Sequence, residues 1–193
     1  MAELRYDAGT SAADWLVGSG TPFEQLITFG PSGFEAYARL RFIADPDRPG
    51  QQEADADVPY DHPSDLAQAR RALHLLEPFT STPGDCCFLL WEGYSDSPLP
   101  PPVAHGPLVE LPHRRYALLR GPLAAVDVWQ AHVGGGAPPA FVWPADRRWC
   151  FVSDVDPHWA GLGAARAAIG ALLGDPQLDI VEARPGQEQP RYR

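Results

Sequence analysis

Lysine is missing from this chain, so its fifteen lysine-or-arginine positions are all arginine. They form only three adjacent pairs, Arg70-Arg71, Arg114-Arg115 and Arg147-Arg148. Against 25 aspartates and glutamates they leave a formal charge of -10, and a field of that sign repels nucleic-acid backbones and anionic membrane surfaces. Direct nucleic-acid binding is therefore disfavoured, whereas a basic protein partner suits the charge. Cysteine is scarce too. Cys86, Cys87 and Cys150 are an odd number, and adjacent cysteines cannot easily meet disulfide geometry with each other. A disulfide scaffold is excluded, and reduced thiols are expected. No apolar run approaches the roughly eighteen residues of a membrane-spanning helix. The first residues are acidic and lack the basic start and apolar stretch of an export signal. A soluble, cytoplasmic protein is expected, without membrane association.

What is present suits one domain spanning residues 1–193. Hydrophobic residues are 45% of the chain, and this length can bury a core without disulfides or metals. The 22 prolines and 18 glycines imply short elements and many turns. Alternating apolar residues from Phe34 to Ile43 predict a half-buried strand, and the continuous run Cys86 to Trp91 a fully buried one. Further strands are expected at Val109 to Leu111, Tyr116 to Leu119, Phe141 to Trp143, Trp149 to Val155 and Leu178 to Val181. Helices are expected after Ser11, after Ser64, from Pro122 to His132 and from Leu162 to Leu173; in the second, Leu66, Ala69, Leu73 and Leu76 share one face. The fold class is therefore α+β: a mainly antiparallel sheet of about six or seven short strands, with about four helices packed largely on one face. Residues 44–63, rich in Asp, Gln, Pro and Gly without periodicity, predict a loop-rich, mobile insertion.

The densest polar and aromatic stretch lies between Phe141 and Gly161. On an extended strand Asp154 and Asp156 fall on one side, about 7 Å apart, and His158 follows the bend set by Pro157. Two carboxylates and an imidazole can hold a divalent metal, or act as acid and base if burial separates their pKa values. These three are the candidate catalytic or metal-ligating residues. A plainer reading has the aspartates satisfying backbone donors and capping a following helix, with His158 exposed. Asp146-Arg147 suits a turn and an ion pair, and Arg147 is the candidate for orienting an anionic ligand. Trp143, Trp149 and Trp159 flank the stretch and are candidate walls of a ligand or partner site.

Other motifs carry less. Gly161-Leu162-Gly163-Ala164-Ala165-Arg166 looks like half of a dinucleotide fingerprint, but Arg166 stands where the last small residue belongs and Pro157-His158-Trp159 intervenes after the strand. No cofactor is expected. Cys86 and Cys87 sit in an apolar run without a clustered histidine, which predicts buried structural thiols. Ser64, Ser81 and Ser153 lack a nucleophile-elbow setting. Tyr60-Asp61-His62-Pro63 has the inventory of a proton relay but lies where turn formation accounts for it.

The segments Trp143-Pro144-Ala145-Asp146-Arg147 and Asp154-Val155-Asp156-Pro157-His158-Trp159-Ala160-Gly161, with Arg120-Gly121-Pro122-Leu123, resemble a group of uncharacterised cytoplasmic proteins from high-GC bacteria. The likeness covers most of the chain and implies no activity. A more distant similarity, to the small acidic immunity proteins that neutralise secreted toxins, rests on size, acidity and the α+β class. The leading expectation is thus a non-enzymatic protein that binds a basic protein partner through an acidic, aromatic surface. The alternatives are a small-molecule enzyme or ligand-binding domain using Asp154, Asp156, His158 and Arg147, and a subunit of a larger assembly.

Overall fold

The computed structural model describes residues 3–154 and 157–193. Along the chain lie β1 (Arg5–Tyr6), α1 (Asp14–Val17), α2 (Phe23–Phe29), β2 (Ala36–Arg41), α3 (Asp65–Leu76), β3 (Cys86–Trp91) and α4 (Pro101–Ala104). There follow β4 (Val109–Leu111), β5 (Arg114–Gly121), α5 (Trp129–Val133), β6 (Phe141–Pro144), β7 (Trp149–Val152), β8 (Trp159–Ala164), α6 (Arg166–Leu173) and β9 (Ile180–Ala183). The nine strands form one sheet in the order β1-β5-β3-β6-β7-β8-β2-β9, with β4 also paired to β5. Every described pairing is antiparallel. The α+β, antiparallel class holds, but the counts rise to nine strands and six helices among the described residues. The additional elements are β1, β8, α2 and α4.

The two sheet faces follow from strand periodicity. In β3, Cys86, Phe88 and Leu90 face one core while Cys87 and Leu89 face the other, as a continuous apolar run demands. The longer helices α3 and α6, with α5 and the 3-10 turn Leu123–Val128, cover the first face. The second is not bare: Leu16 of α1 and Leu26 and Ile27 of α2 close it. Helices therefore occupy both faces, because β3, β5, β6 and β7 carry apolar side chains on each.

Local signals explain most boundaries. The Ser64 hydroxyl accepts the Ala67 N–H at 3.2 Å, a cap that contributes about 1 kcal/mol. Leu66, Ala69, Leu73 and Leu76 of α3 are all buried. Pro122 precedes the 3-10 turn that leads into α5. The β4–β5 hairpin turns on two residues, Pro112 and His113, between the paired Leu111 and Arg114. His113 has φ 62°, which with proline before it is the sign pattern of a type II turn, whose second central residue favours glycine. His113→Gly is accordingly expected to raise the unfolding free energy by up to about 1 kcal/mol, measured by denaturant titration. A loss of stability would contradict this account of the turn.

The segment 44–63 contains no strand and one short 3-10 turn, Glu53–Asp55. Its start is held in place. Gln51 is buried and accepts the Asp47 N–H at 2.8 Å, its carbonyl accepts the Arg193 N–H at 3.0 Å, and Tyr192 donates to the Ala44 carbonyl at 2.8 Å. Among the described residues, no helix is long and apolar enough to cross a membrane.

Candidate functional site

The segment expected to end a loop and begin a helix is instead strand β8, which lies between β7 and β2. Its glycines answer a packing need. A Cβ on Gly161 would lie 1.8 Å from the Thr28 carbonyl oxygen, and one on Gly163 would lie 2.4 Å from the Phe34 ring. The glycines thus admit α2 and Phe34 to the sheet, and they open a strand where a dinucleotide motif opens a helix.

With β8 in the sheet, Asp154 and His158 acquire separate partners. Asp154, just beyond β7, is ion-paired at 2.8 Å with Arg114 at the start of β5. Arg114 also lies over the Trp91 ring at 5.5 Å. His158 is buried, with its side chain 1% exposed, and its Nε2 lies 3.0 Å from Asp45. Asp45 also receives Arg39 at 2.7 and 3.0 Å and Arg41 at 3.1 Å. Arg41 in turn reaches Asp179 at 2.7 Å. Burial pushes the Asp45 carboxyl up, but bonds from Arg39 and His158 outweigh it and hold the group well below the ordinary carboxylate range. Burial also pushes the His158 imidazole below its ordinary value, against the upward pull of Asp45. A neutral ring donating Nε2–H to an ionised Asp45 satisfies both conditions. Its Nδ1 has no hydrogen-bond partner.

The expected triad is therefore divided: Asp154 is engaged by β5 and His158 by Asp45, and Asp156 lies outside the described residues. No cluster of three potential metal ligands occurs among the described residues. Nor is His158 exposed beside a helix cap, as the plainer reading had it. It joins β8 to the start of the 44–63 segment.

The three candidate tryptophans are all core residues, each at most 1% exposed. Trp149 sits in the core under α3 and α6. Trp159 packs on Phe29 with ring centres 5.2 Å apart and lies under the Arg39 guanidinium at 5.4 Å. Trp143, in the opposite core, meets Trp15 edge-on at 5.9 Å. Trp15 in turn carries the Arg147 guanidinium 5.5 Å above its ring. Trp143 and Arg147 are thus brought together through Trp15, while Trp149 and Trp159 lie elsewhere.

Asp146 does not pair with Arg147. Its carboxylate accepts bonds from Thr80 Oγ1 at 2.8 Å, Ser81 N at 2.7 Å and Ser81 Oγ at 2.9 Å. Burial raises its pKa, but these bonds bring it below the ordinary value. The β6–β7 turn is thereby tied to the 80–82 loop. The cysteines are free and buried. Burial, helped by nearby negative groups, pushes the Cys86 thiol up to about 12; burial against the pull of Arg120 pushes Cys87 up to about 11. Neither is a thiolate at neutral pH.

A run of surface carboxylates lies in residues 52–65. Glu53, Asp55, Asp57, Asp61 and Asp65 are exposed and form no ion pair among the described residues. Tyr60 stands among them at 108% relative exposure and Val58 at 42%. The far end of this segment is fixed by Gln68, whose side-chain amide donates to the Phe42 and Pro63 carbonyls, each at 3.0 Å. Sequence reading gave these residues as a loop without seeing that both ends are anchored and the carboxylates left outward.

The chain matches no family model, no curated protein and no solved structure. The fold and its polar clusters define by themselves an antiparallel α+β protein with buried structural ion pairs and an acidic, aromatic-tipped loop.

Proposed function

We propose that this chain is a non-enzymatic binding protein that engages a basic protein partner through the acidic loop 52–65. The observation that carries the reading is the set of five exposed, unpaired carboxylates around the fully exposed Tyr60. A tyrosine wholly in water does nothing for the fold, but it is a preferred anchor in protein interfaces. Carboxylates left without cations raise the local field, steer a cationic surface and speed encounter. The same field repels phosphate backbones. The loop's anchored ends limit the ordering entropy lost on binding. The likeness in acidity to immunity proteins fits this reading, with a basic toxin as one partner of the required chemistry.

An enzymatic reading of the same chain needs free groups where Asp154 and His158 stand. Asp154 is committed to an ion pair with Arg114 and His158 to a hydrogen bond with Asp45 inside the fold. The test is a variant carrying Asp55→Asn, Asp57→Asn, Asp61→Asn and Tyr60→Ala. All four positions are exposed, so stability should change by no more than about 0.5 kcal/mol per site. The wild type is expected to retain a stoichiometric basic protein from its native lysate that the variant loses. Equal capture by both would move the interface away from this loop.

A further inference from the structure

We infer that the cavity between α1, the β6–β7 turn and the start of α6 is a binding site for a small aromatic carboxylate, with Arg147 and Arg148 as its anion clamp. The inference stands apart from the acidic loop and uses none of its residues. The cavity holds about 600 Å³, within the size range of small-molecule sites. Its walls include the aromatic rings of Trp15, Phe34 and Phe79. Its cations are Arg147 and Arg148, both exposed, and neither forms an ion pair among the described residues, although the protein carries a charge of -10.

Three features point to a ligand with both an anionic head and an aromatic body. First, Asp146, the neighbouring carboxylate, is consumed by Thr80 and Ser81, so the guanidinium beside it keeps its charge unspent. Second, Arg147 has φ 56° and its N–H bonds the Pro144 carbonyl at 2.8 Å. That is the left-handed position closing a tight hairpin, where glycine is favoured. The chain places there an arginine that lies over Trp15, and such outliers collect at ligand clamps. Third, the Trp15 ring lines the cavity and carries the Arg147 guanidinium over its face, so the cation and an aromatic wall stand side by side.

The counter-charge in the cavity is Glu35, whose carboxylate accepts the Arg166 N–H at the start of α6 at 3.1 Å. Together with the acidic field of the whole molecule it disfavours a dianion. A singly charged carboxylate fits the arginine fork, and a planar ring fits between the aromatic walls.

The test is titration of the full chain with indole-3-acetate, phenyl phosphate and tryptamine, followed by calorimetry and by chemical shifts of the indole N–H signals. Saturable binding of indole-3-acetate is expected, with a shift of the Trp15 indole proton, and none of tryptamine, which has a ring but a cationic head. Arg147→Gly places the favoured residue in the turn, so it should melt no lower than about the wild-type temperature while weakening indole-3-acetate at least about tenfold. Arg148→Ala should also weaken it. The proposal is overturned by absence of saturable binding up to about millimolar ligand, by equal affinity of the well-folded Arg147→Gly protein, or by tighter binding of phenyl phosphate than of the carboxylate.

Discussion

Asp45→Ala is expected to lower the unfolding free energy by about 3 kcal/mol, toward the lower end of the cost of breaking a buried ion pair. The lower end applies because the Asp45 side chain is 20% exposed. Its partners are more enclosed: the Arg39 side chain is 7% exposed and that of His158 only 1%. Removing the carboxylate leaves the Arg39 guanidinium buried over Trp159 without its counter-ion and removes the acceptor for His158. It also releases one of the bonds that ties the 44–63 segment to β2 and β8.

The loss has a characteristic pH dependence. In the fold Asp45 is held below its ordinary value, so its contribution is complete above the unfolded carboxyl pKa of about 4 and disappears as the pH falls through the depressed folded value. The gap in stability between wild type and Asp45→Ala should therefore be constant near neutrality and narrow as the pH falls below about 4. His158 adds a separate step. Its folded pKa is lowered, so below about 6.5 the unfolded chain takes up a proton that the folded chain resists, and stability falls with falling pH. Denaturant titrations across this range test both. A gap that persists unchanged in acid would show that Asp45 is not ionised in the fold.

Gly161→Ala is expected to cost at least about 3 kcal/mol, an overpacking penalty at the upper end of its usual range. The new Cβ would stand 1.8 Å from the Thr28 carbonyl oxygen and 3.0 Å from Phe29 Cα, and both neighbours are backbone. α2 cannot yield locally. Phe29 is packed on Trp159 and Tyr37, and Leu26 and Ile27 belong to the core of that face. The helix must lift as a whole, uncovering that core. Gly186→Ala, where an added Cβ meets nothing within 4 Å, is the control and should stay within about 0.5 kcal/mol of wild type. Similar melting of all three proteins would mean that α2 does not rest on β8 as described.

The legible parts of the fold were those whose signals are local. The spacing of Leu66, Ala69, Leu73 and Leu76 behind Ser64 specifies α3, and the unbroken run from Cys86 to Trp91 specifies a strand covered on both faces. β8 was hidden because Ala160, Gly161, Gly163 and Ala164 carry little strand propensity. The smallness of Gly161 and Gly163 answers to α2 and Phe34, which lie more than a hundred residues earlier in the chain. β1 was hidden for a similar reason, being two residues long and defined by its pairing with Arg120 and Leu119. The candidate site suffered most from long-range pairing. Asp154 and Asp156 share a strand-like spacing and His158 follows closely, yet Asp154 turns to Arg114, 40 residues away, and His158 to Asp45, 113 residues away. Nothing in the local pattern marks Asp45, Arg39 or Arg114 as their partners. Arg147 was legible as a turn residue, but Trp15 beneath it was not.

The measurement that tests the proposed function most directly is affinity capture from the native lysate by this protein at low and high salt. The account predicts a stoichiometric basic protein that is retained at low salt and released at high salt, as screening of the field from Glu53, Asp55, Asp57, Asp61 and Asp65 requires. Recovery of no protein at either salt, or of an acidic one indifferent to salt, would contradict it.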